Sequence, residues 1–140
     1  MNNLKKYSIF LATFTVIVLA GMVIVGTNKA EAAGTPVIIT KAPSSVDFTS
    51  ATMNAMLSST GADSVTLRGF LWGTDTNYGS IVTETGSFGV GPFSANLANL
   101  KCDTVYHYRP FAFNPYGKDY GFDYTIVTKT PKGNEKKLCR

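Results

Sequence analysis

Residues 100–113 of this chain have the sequence LKCDTVYHYRPFAF and contain its longest predicted strand, residues 104–113. Aromatic and β-branched residues are frequent there, and such residues favour strands because their side chains pack well on a pleated surface. The next four residues, 114–117, are Asn-Pro-Tyr-Gly, which is the composition of a tight turn. The stretch therefore predicts a strand followed by a sharp reversal of the chain.

Shorter strands are predicted on both sides of this stretch. From Pro36 onward no segment has a sustained helical period, and short apolar runs alternate with turn signals. The predicted strands are residues 37–40, 51–57, 66–72, 80–85, 93–97, 104–113 and 120–127. Seven short strands in roughly 95 residues are typical of an all-β protein with a seven-stranded, immunoglobulin-like β-sandwich.

Residues 100–109 resemble the entry of fibronectin type III domains into their sixth strand, where a Leu precedes a short turn and Thr-x-Tyr follows. The resemblance implies structural roles for Leu100, before the turn, and for Tyr106, a corner residue whose hydroxyl hydrogen-bonds to the backbone. Residues 112–117 resemble the strand end and its turn, and residues 68–74 and 120–121 are similar to a bacterial branch of secreted and surface proteins. The resemblance covers residues 35–131, and it implies the fold and almost nothing about the ligand.

Pro110 departs from the pattern of that branch, which has a small residue at this position. Proline has no backbone N–H, so it removes one donor from the hydrogen-bond ladder of an inner strand. A local β-bulge would accommodate the missing donor. We therefore expect the sixth strand to be irregular near Pro110. The tripeptide Arg-Gly-Asp is absent from the chain, so integrin-type adhesion is not supported.

The N-terminal segment, residues 1–32, has the features of an export signal. Two lysines precede residues 7–26, which carry no charge, and residues 30–32 are Ala-Glu-Ala, a small-x-small pattern that places cleavage before residue 33. Two interpretations stay open: a cleaved signal peptide explains the small residues, and an uncleaved membrane-anchor helix explains the length of the apolar run. Both predict an extracytoplasmic domain, secreted or anchored to the cell membrane, because the lysines hold the N-terminus in the cytoplasm.

Cys102 and Cys139 are the only cysteines, and an oxidising compartment permits a disulfide between them. Cys102 lies in the turn before the sixth strand, and the last strand of a sandwich runs antiparallel to the sixth. The end of the last strand therefore returns to the same edge, within reach of an extended tail. We predict a Cys102–Cys139 disulfide that ties down the basic tail, residues 132–140.

The distribution of charge excludes one class of partner. The net charge is +4, of which residues 1–32 carry +2 and residues 132–140 carry +3, so residues 33–131 carry −1. A domain that tracks a nucleic-acid backbone needs a basic face, and none remains here. Charged residues make up only 16% of the chain, which argues against a disordered polyampholyte.

The sixth strand also contains the first candidate binding residues. If Tyr106 and Tyr108 face inward, the two-residue period of a strand turns the alternate side chains outward. The outward residues are His107, Arg109, Phe111 and Phe113. Two exposed Phe side chains beside an Arg and a His would form a binding stripe. The alternative is that a neighbouring strand half covers them.

Other notable residues have structural or loop positions. Tyr116 and Lys118 lie in the loop that joins the last two strands, which is a common recognition site in sandwiches. Trp72 is expected in the core, where a sandwich requires large rings; the alternative is a platform that stacks on sugars. No nucleophile–base pair, paired carboxylates or metal cluster stands out in the sequence, so we expect no catalysis, no metal and no cofactor.

These observations favour a non-enzymatic binding or adhesion module outside the cell membrane that recognises a protein or a glycan. The alternative is a structural spacer or a self-assembling surface subunit, whose outward aromatic residues pack against copies of the chain. An enzyme is the weakest of the three hypotheses. The expected partners are thus a surface protein or glycan, a second copy through self-association, and the membrane if the N-terminal segment is retained.

Overall fold

The structure is a computed structural model that describes residues 17–19, 22–24 and 34–139. The chain divides into two units, Met1–Glu31 and Ala32–Arg140, which are described separately. The second unit contains all of the predicted sandwich strands. The predicted limits of the domain, residues 35–131, stay a prediction.

In the first unit, strands β1 (Ile17–Leu19) and β2 (Met22–Ile24) pair antiparallel. The backbone is extended there, where the sequence predicts a helix, and these short segments are rich in Ile and Val, whose β-branched side chains favour strands. The other residues of segment 1–32, with the predicted cleavage site, lie outside the described residues. Within the described part of the chain, no helix has the length and apolar character needed to span a membrane. The export signal therefore stays a prediction.

The second unit is an all-β sandwich of two antiparallel sheets. Its strands are β3 (Val37–Ser44), β4 (Ala51–Ser59), β5 (Val65–Gly73), β6 (Ser80–Phe88), β7 (Gly91–Leu97), β8 (Val105–Asn114), β9 (Gly117–Tyr120) and β10 (Tyr124–Val127). One sheet has the order β3-β4-β7, and the other has the order β10-β8-β5-β6, with β9 also paired to β8. The basic tail forms a 3₁₀ helix, Gly133–Cys139.

The core forms where the two sheets face each other. In β4 the buried side chains alternate with partly exposed ones, which is the period of a strand with one buried face. The rings of Phe70 in β5 and Phe93 in β7 lie 5.1 Å apart between their centroids and join the two sheets. Tyr108 and Ile126 complete this layer and are fully buried. Burying each large apolar side chain stabilises the fold by about 1.5–3 kcal/mol.

The last predicted strand, residues 120–127, is broken into β9 and β10, so the sandwich has eight strands where the sequence predicts seven. The pair Phe111–Tyr120 and the pair Tyr108–Tyr124 differ by one residue in register, so residues 121–123 lie opposite only Arg109 and Pro110. This is a bulge, and it lies in the strand opposite the proline. The sequence predicts the irregularity in the sixth strand itself, but β8 runs unbroken from Val105 to Asn114 and pairs regularly with β5, so the neighbouring strand accommodates the missing N–H. The carbonyl of Pro110 accepts a hydrogen bond from the Gly121 N–H at 2.9 Å.

Gly121 is required at this junction by close packing. A Cβ atom on this residue would lie 2.7 Å from Cγ of Pro110 and would also meet the hydroxyl of Thr40. The glycine therefore lets the bulged strand lie directly against the proline ring. The next residue, Phe122, is 86% exposed, because the bulge turns it away from both sheets.

The turn before β8 is held by the corner tyrosine and by a disulfide. The Lys101 N–H donates a hydrogen bond to the Tyr106 hydroxyl at 2.9 Å, and Leu100 is buried beneath the turn. Cys102 is bonded to Cys139, with their Cα atoms 5.7 Å apart, within the usual range for a disulfide. The predicted disulfide is confirmed, and it attaches the 3₁₀ helix of the tail to the start of β8.

Candidate functional site

The outward side chains of β8 lie on the outer face of the five-stranded sheet. Strand β8 pairs with β5 so that Arg109 lies opposite Leu71, Phe111 opposite Gly69, and Phe113 opposite Leu67. These neighbours also face outward, because directly paired residues share a face of the sheet. The outer face thus collects most of the candidate residues predicted from the sequence.

Arg109 is held between two tyrosine rings. Its guanidinium carbon lies 4.1 Å from the ring centroid of Tyr120 in β9 and 5.5 Å from that of Tyr78, in the loop between β5 and β6. Both distances are within the range of a cation–π interaction. The Nε atom of Arg109 is buried and has no hydrogen-bond partner. The side chain is therefore fixed in place while part of its hydrogen-bonding capacity is unused.

Asp123, in the bulge between β9 and β10, connects the two sides of this site. Its carboxylate accepts a hydrogen bond from the Tyr78 hydroxyl at 3.0 Å and lies 2.9 Å from Nδ1 of His107. Burial raises the pKa of Tyr78, and its hydrogen bond to Asp123 and the charge of this residue raise it further. His107, when protonated, therefore forms an ion pair with Asp123.

Lys118 extends the row of cations and rings. Its Nζ atom lies 5.4 Å from the ring centroid of Tyr120, on which Arg109 also stacks. We call this set the Arg109 cluster: Tyr78, His107, Arg109, Lys118, Tyr120 and Asp123. Among the described residues, the ion pairs join Arg68 to Glu84, His107 to Asp123, and Lys129 to Asp47. Neither Arg109 nor Lys118 is paired with a carboxylate.

The two outward Phe residues have different environments. Phe111 is buried at 7% exposure, with its ring centroid 6.2 Å from that of Tyr120. It corresponds to the alternative in which a neighbouring strand covers the side chain, so it offers no surface to a partner. Phe113 is 40% exposed at the end of the same row. Of the predicted stripe, His107, Arg109 and Phe113 remain accessible.

Tyr116 and Trp72 lie away from the cluster. Tyr116 is 61% exposed in the turn between β8 and β9, and its ring lies close to Gly34, where a Cβ atom would be 3.1 Å from Cδ1 of the tyrosine. Trp72 packs against the core, with its ring centroid 6.0 Å from that of Tyr106. This position fits the expected core role of Trp72 and not a sugar platform.

Three members of the cluster were missed by the sequence analysis: Tyr78, Tyr120 and Asp123. Tyr78 belongs to a segment that has the composition of a turn, and its backbone adopts a left-handed conformation there, with φ of 65°. Asp123 reaches His107 only because of the bulge. A search for polar or aromatic residues in the segments expected to lie beside β8 would have found Tyr120 and Asp123.

Among the described residues, no group of three or more His, Cys, Asp or Glu side chains is placed to hold a metal ion. The arrangement therefore offers cations, aromatic rings and one carboxylate that is already engaged. Chemically it is suited to recognition of an anionic group, because stacked guanidinium donors bind carboxylates in a fixed geometry.

No protein-family model and no curated protein matches the chain. Solved structures do match. The sensor domain of the anti-sigma factor RsgI4 in Pseudobacteroides cellulosolvens is 16% identical at a TM-score of 0.53, covering 67% of this chain and 94% of that one. A fibronectin type III domain of human KIAA0970 protein is 13% identical at a TM-score of 0.50, covering 69% and 76%.

A third match is the fibronectin type III domain of human fibronectin type III domain containing protein 3. It is 16% identical at a TM-score of 0.50 and covers 78% of this chain and 97% of that one. Identities this low establish the fold alone. The second unit is therefore a fibronectin type III-like domain, as the resemblance of residues 100–109 implies.

Proposed function

We propose that this chain is an extracytoplasmic, non-enzymatic binding module, secreted or attached to the cell surface, whose Arg109 cluster recognises an acidic segment of a partner protein. One observation carries the proposal. Arg109 is held between two tyrosine rings, with a buried Nε atom that has no acceptor and with no carboxylate partner among the described residues. A bound carboxylate would supply the missing counter-charge to this fixed guanidinium.

The geometry of Arg109 favours binding of such a group. Immobilising a long side chain on association costs about 0.5–1.5 kcal/mol, and stacking on Tyr120 and Tyr78 fixes this one before the partner arrives. The planar guanidinium then presents its donors as a fork that matches a carboxylate. Asp123 does not compete for them, because its oxygens already engage Tyr78 and His107.

The surroundings of the cluster favour a protein over a glycan. Phe113, Val105 and Val127 lie on the same outer face and are 40%, 46% and 60% exposed. Protein interfaces are enriched in Tyr and Arg, and their centres are apolar, so this combination is typical of them. A glycan partner is the competing possibility that the experiment below separates.

An extracytoplasmic location is supported by two features. The Cys102–Cys139 disulfide is of the kind that persists in oxidising compartments. The charged start, apolar run and Ala-Glu-Ala of residues 1–32 have the order of an export signal. N-terminal sequencing of the protein from its host tests this part: a chain that starts at residue 33 is exported and cleaved, and a chain that keeps Met1 is tethered.

The binding test uses the full chain in a non-ionic detergent, with hexaglutamate as an acidic peptide and oligogalacturonate as an acidic glycan. We expect hexaglutamate to bind and Arg109→Gln to weaken binding about tenfold or more, since hydrogen bonds to charged groups contribute about 1.5–3 kcal/mol. The matched control is Lys129→Gln, which removes a surface cation that is already paired with Asp47. Equal binding by Arg109→Gln, or Arg109-dependent binding of oligogalacturonate alone, would overturn the proposed protein partner.

A further inference from the structure

Strand β6 forms an open edge of the five-stranded sheet, since it pairs with β5 on one side only. Over residues 80–85 its register with β5 is regular, from Trp72 opposite Ser80 to Leu67 opposite Thr85. We refer to residues 80–85 as the β6 edge. Five of its six side chains are exposed, and only Val82 is partly covered.

The backbone groups that face solvent along this edge follow from the position of Pro110. The carbonyl of Pro110 is bonded to Gly121, so its backbone groups point away from β5. Pro110 lies opposite Phe70 of β5, and the two do not exchange hydrogen bonds. The backbone N–H and C=O of Phe70 therefore point to the other side, toward Val82 of β6. The carbonyl of Val82 indeed faces β5, since a Cβ atom on Gly69 would collide with it. Alternate residues then point outward: Ile81, Thr83 and Thr85.

The other edges of the sandwich carry features that block pairing with a further strand. Strand β3 contains Lys41, Pro43 and a register shift between Lys41 and Ser44. Strand β7 has Pro92 near its start, and β9 and β10 are four-residue strands separated by the bulge. Proline, lysine, bulges and short length are the usual protections of edge strands. The β6 edge has none of these features; its one charged residue, Glu84, is paired with Arg68 of its own chain.

We propose that the β6 edge pairs antiparallel with the β6 edge of a second copy of this chain, around a twofold axis at Thr83. In this register Thr83 lies opposite Thr83 of the second copy. Ile81 of each copy lies opposite Thr85 of the other. All three residues point their backbone groups outward, so each opposed pair exchanges two hydrogen bonds. We assign the partner as a second copy because it presents the same unprotected edge, and in this register its outward residues match those of the first copy.

Neighbouring registers are less favourable. An axis at Val82 leaves only two hydrogen-bonded pairs within the β6 edge. An axis at Glu84 also leaves two, and it places each Glu84 opposite its copy, which is destabilising for like charges. In the proposed register Glu84 lies opposite Val82. It is also neutralised within its own chain, because Arg68 contacts it at 2.9 Å.

Sedimentation of the full chain in density-matched detergent, over a range of protein concentrations, tests the dimer. We expect wild type to associate and Thr83→Lys to raise the dimer dissociation constant about tenfold or more, because it places two lysines opposite each other at the axis. Thr125→Lys is the matched control, since Thr125 is an exposed threonine in β10 of the same sheet. A monomer at all concentrations, or equal effects of the two variants, would overturn the proposal.

Cysteine cross-linking tests the register independently of affinity. In the proposed dimer the Cα atoms of the two copies of Thr83 are about 5.5 Å apart, a distance that a disulfide spans. The two copies of Thr85 are four residues apart along the strands, roughly 13 Å. With oxidised glutathione added, Thr83→Cys should form a covalent dimer and Thr85→Cys should not. Preferential cross-linking of Thr85→Cys would overturn the register, and no cross-linking by either variant would overturn the pairing.

Discussion

Replacing Asn114 with alanine should strongly destabilise the domain, because this one fully buried side chain satisfies four backbone groups. Its Nδ2 donates hydrogen bonds to the carbonyls of Gly34 at 2.6 Å and Thr60 at 2.8 Å. Its Oδ1 accepts hydrogen bonds from the N–H groups of Tyr116 at 2.9 Å and Gly117 at 3.1 Å. The side chain thus links the turn after β8 to the segment before β3 and the loop after β4.

The expected loss follows from the number of bonds and from where they lie. A typical hydrogen bond contributes about 0.5–1.5 kcal/mol, and a buried group left without a partner costs about 1–3 kcal/mol. Water can reach part of this turn, since Tyr116 is exposed, so some of the freed groups are solvated in the variant. We therefore expect Asn114→Ala to lower the free energy of unfolding by about 3 kcal/mol, which lowers Tm by about 10–15 °C in a domain of this size.

The assay is urea unfolding of the full chain, followed by the fluorescence of Trp72, which is the only tryptophan in the chain. The matched control is Asn54→Ala. Asn54 also makes two hydrogen bonds through Nδ2, to the Ala42 carbonyl and the Ser44 hydroxyl at 2.9 Å each, but in exposed positions. Its loss should stay below about 1 kcal/mol. Equal losses for the two variants would refute the argument that burial of the network sets its contribution.

Two further predictions concern the disulfide and a buried tyrosine. Replacing Cys139 with serine opens the loop closed by its bond to Cys102, a sequence separation of 37, and should cost about 3–4 kcal/mol on the chain-entropy model; urea unfolding of this variant measures it, and an unchanged midpoint would contradict it. Tyr108 is buried and donates a hydrogen bond to the Lys41 carbonyl, and burial raises its pKa from 10.0 to about 12. The neutral phenol therefore stabilises the fold fully below pH 10, and this contribution is lost as the pH rises toward 12. Ultraviolet titration should show a tyrosine that ionises near pH 12, which Tyr108→Phe removes, while the raised step of Tyr78 remains. A step near pH 12 that persists in the variant would contradict the assignment.

The sequence predicted the strands well where one face is buried. Between Ala51 and Leu57 every second residue is apolar, and the same residues are the buried ones in β4. The corner could also be predicted, because Tyr106 and Leu100 follow a local pattern. Local periodicity is sufficient in these cases, because the residues that determine the structure are neighbours in sequence.

The break in the last strand could not be found in the same way. Tyr120, Phe122, Tyr124 and Ile126 alternate through the bulge as if the strand were continuous. The cause of the bulge is Pro110, which lies on a different strand and acts through a missing hydrogen bond. Strand β6 likewise extends to Phe88, beyond its predicted end, because pairing with β5 continues past the glycine at position 86.

The candidate site was predicted in part for the same reason. The two-residue period places His107, Arg109 and Phe113 on one face, as observed. It does not predict that Tyr120 covers Phe111, or that Asp123 reaches His107, because both contacts depend on how β9 and β10 are placed against β8. Side-chain periodicity thus identifies the face, and the pairing of strands determines which residues on it are accessible.

The two proposals together predict a bivalent surface. A twofold axis through an antiparallel strand pair is perpendicular to the sheet, so both outer faces would lie on the same side of a continuous sheet. Arg109 and its copy would be five strand spacings apart, roughly 24 Å, and offset along the strands, because the register places Arg109 in line with Phe113 of the copy. Their separation would be about 25–30 Å. A partner with two acidic segments at that spacing would bind the dimer more tightly than either site alone, because the second contact is intramolecular. Thr83→Lys should therefore weaken binding of a two-segment partner while leaving the affinity for a single acidic peptide unchanged.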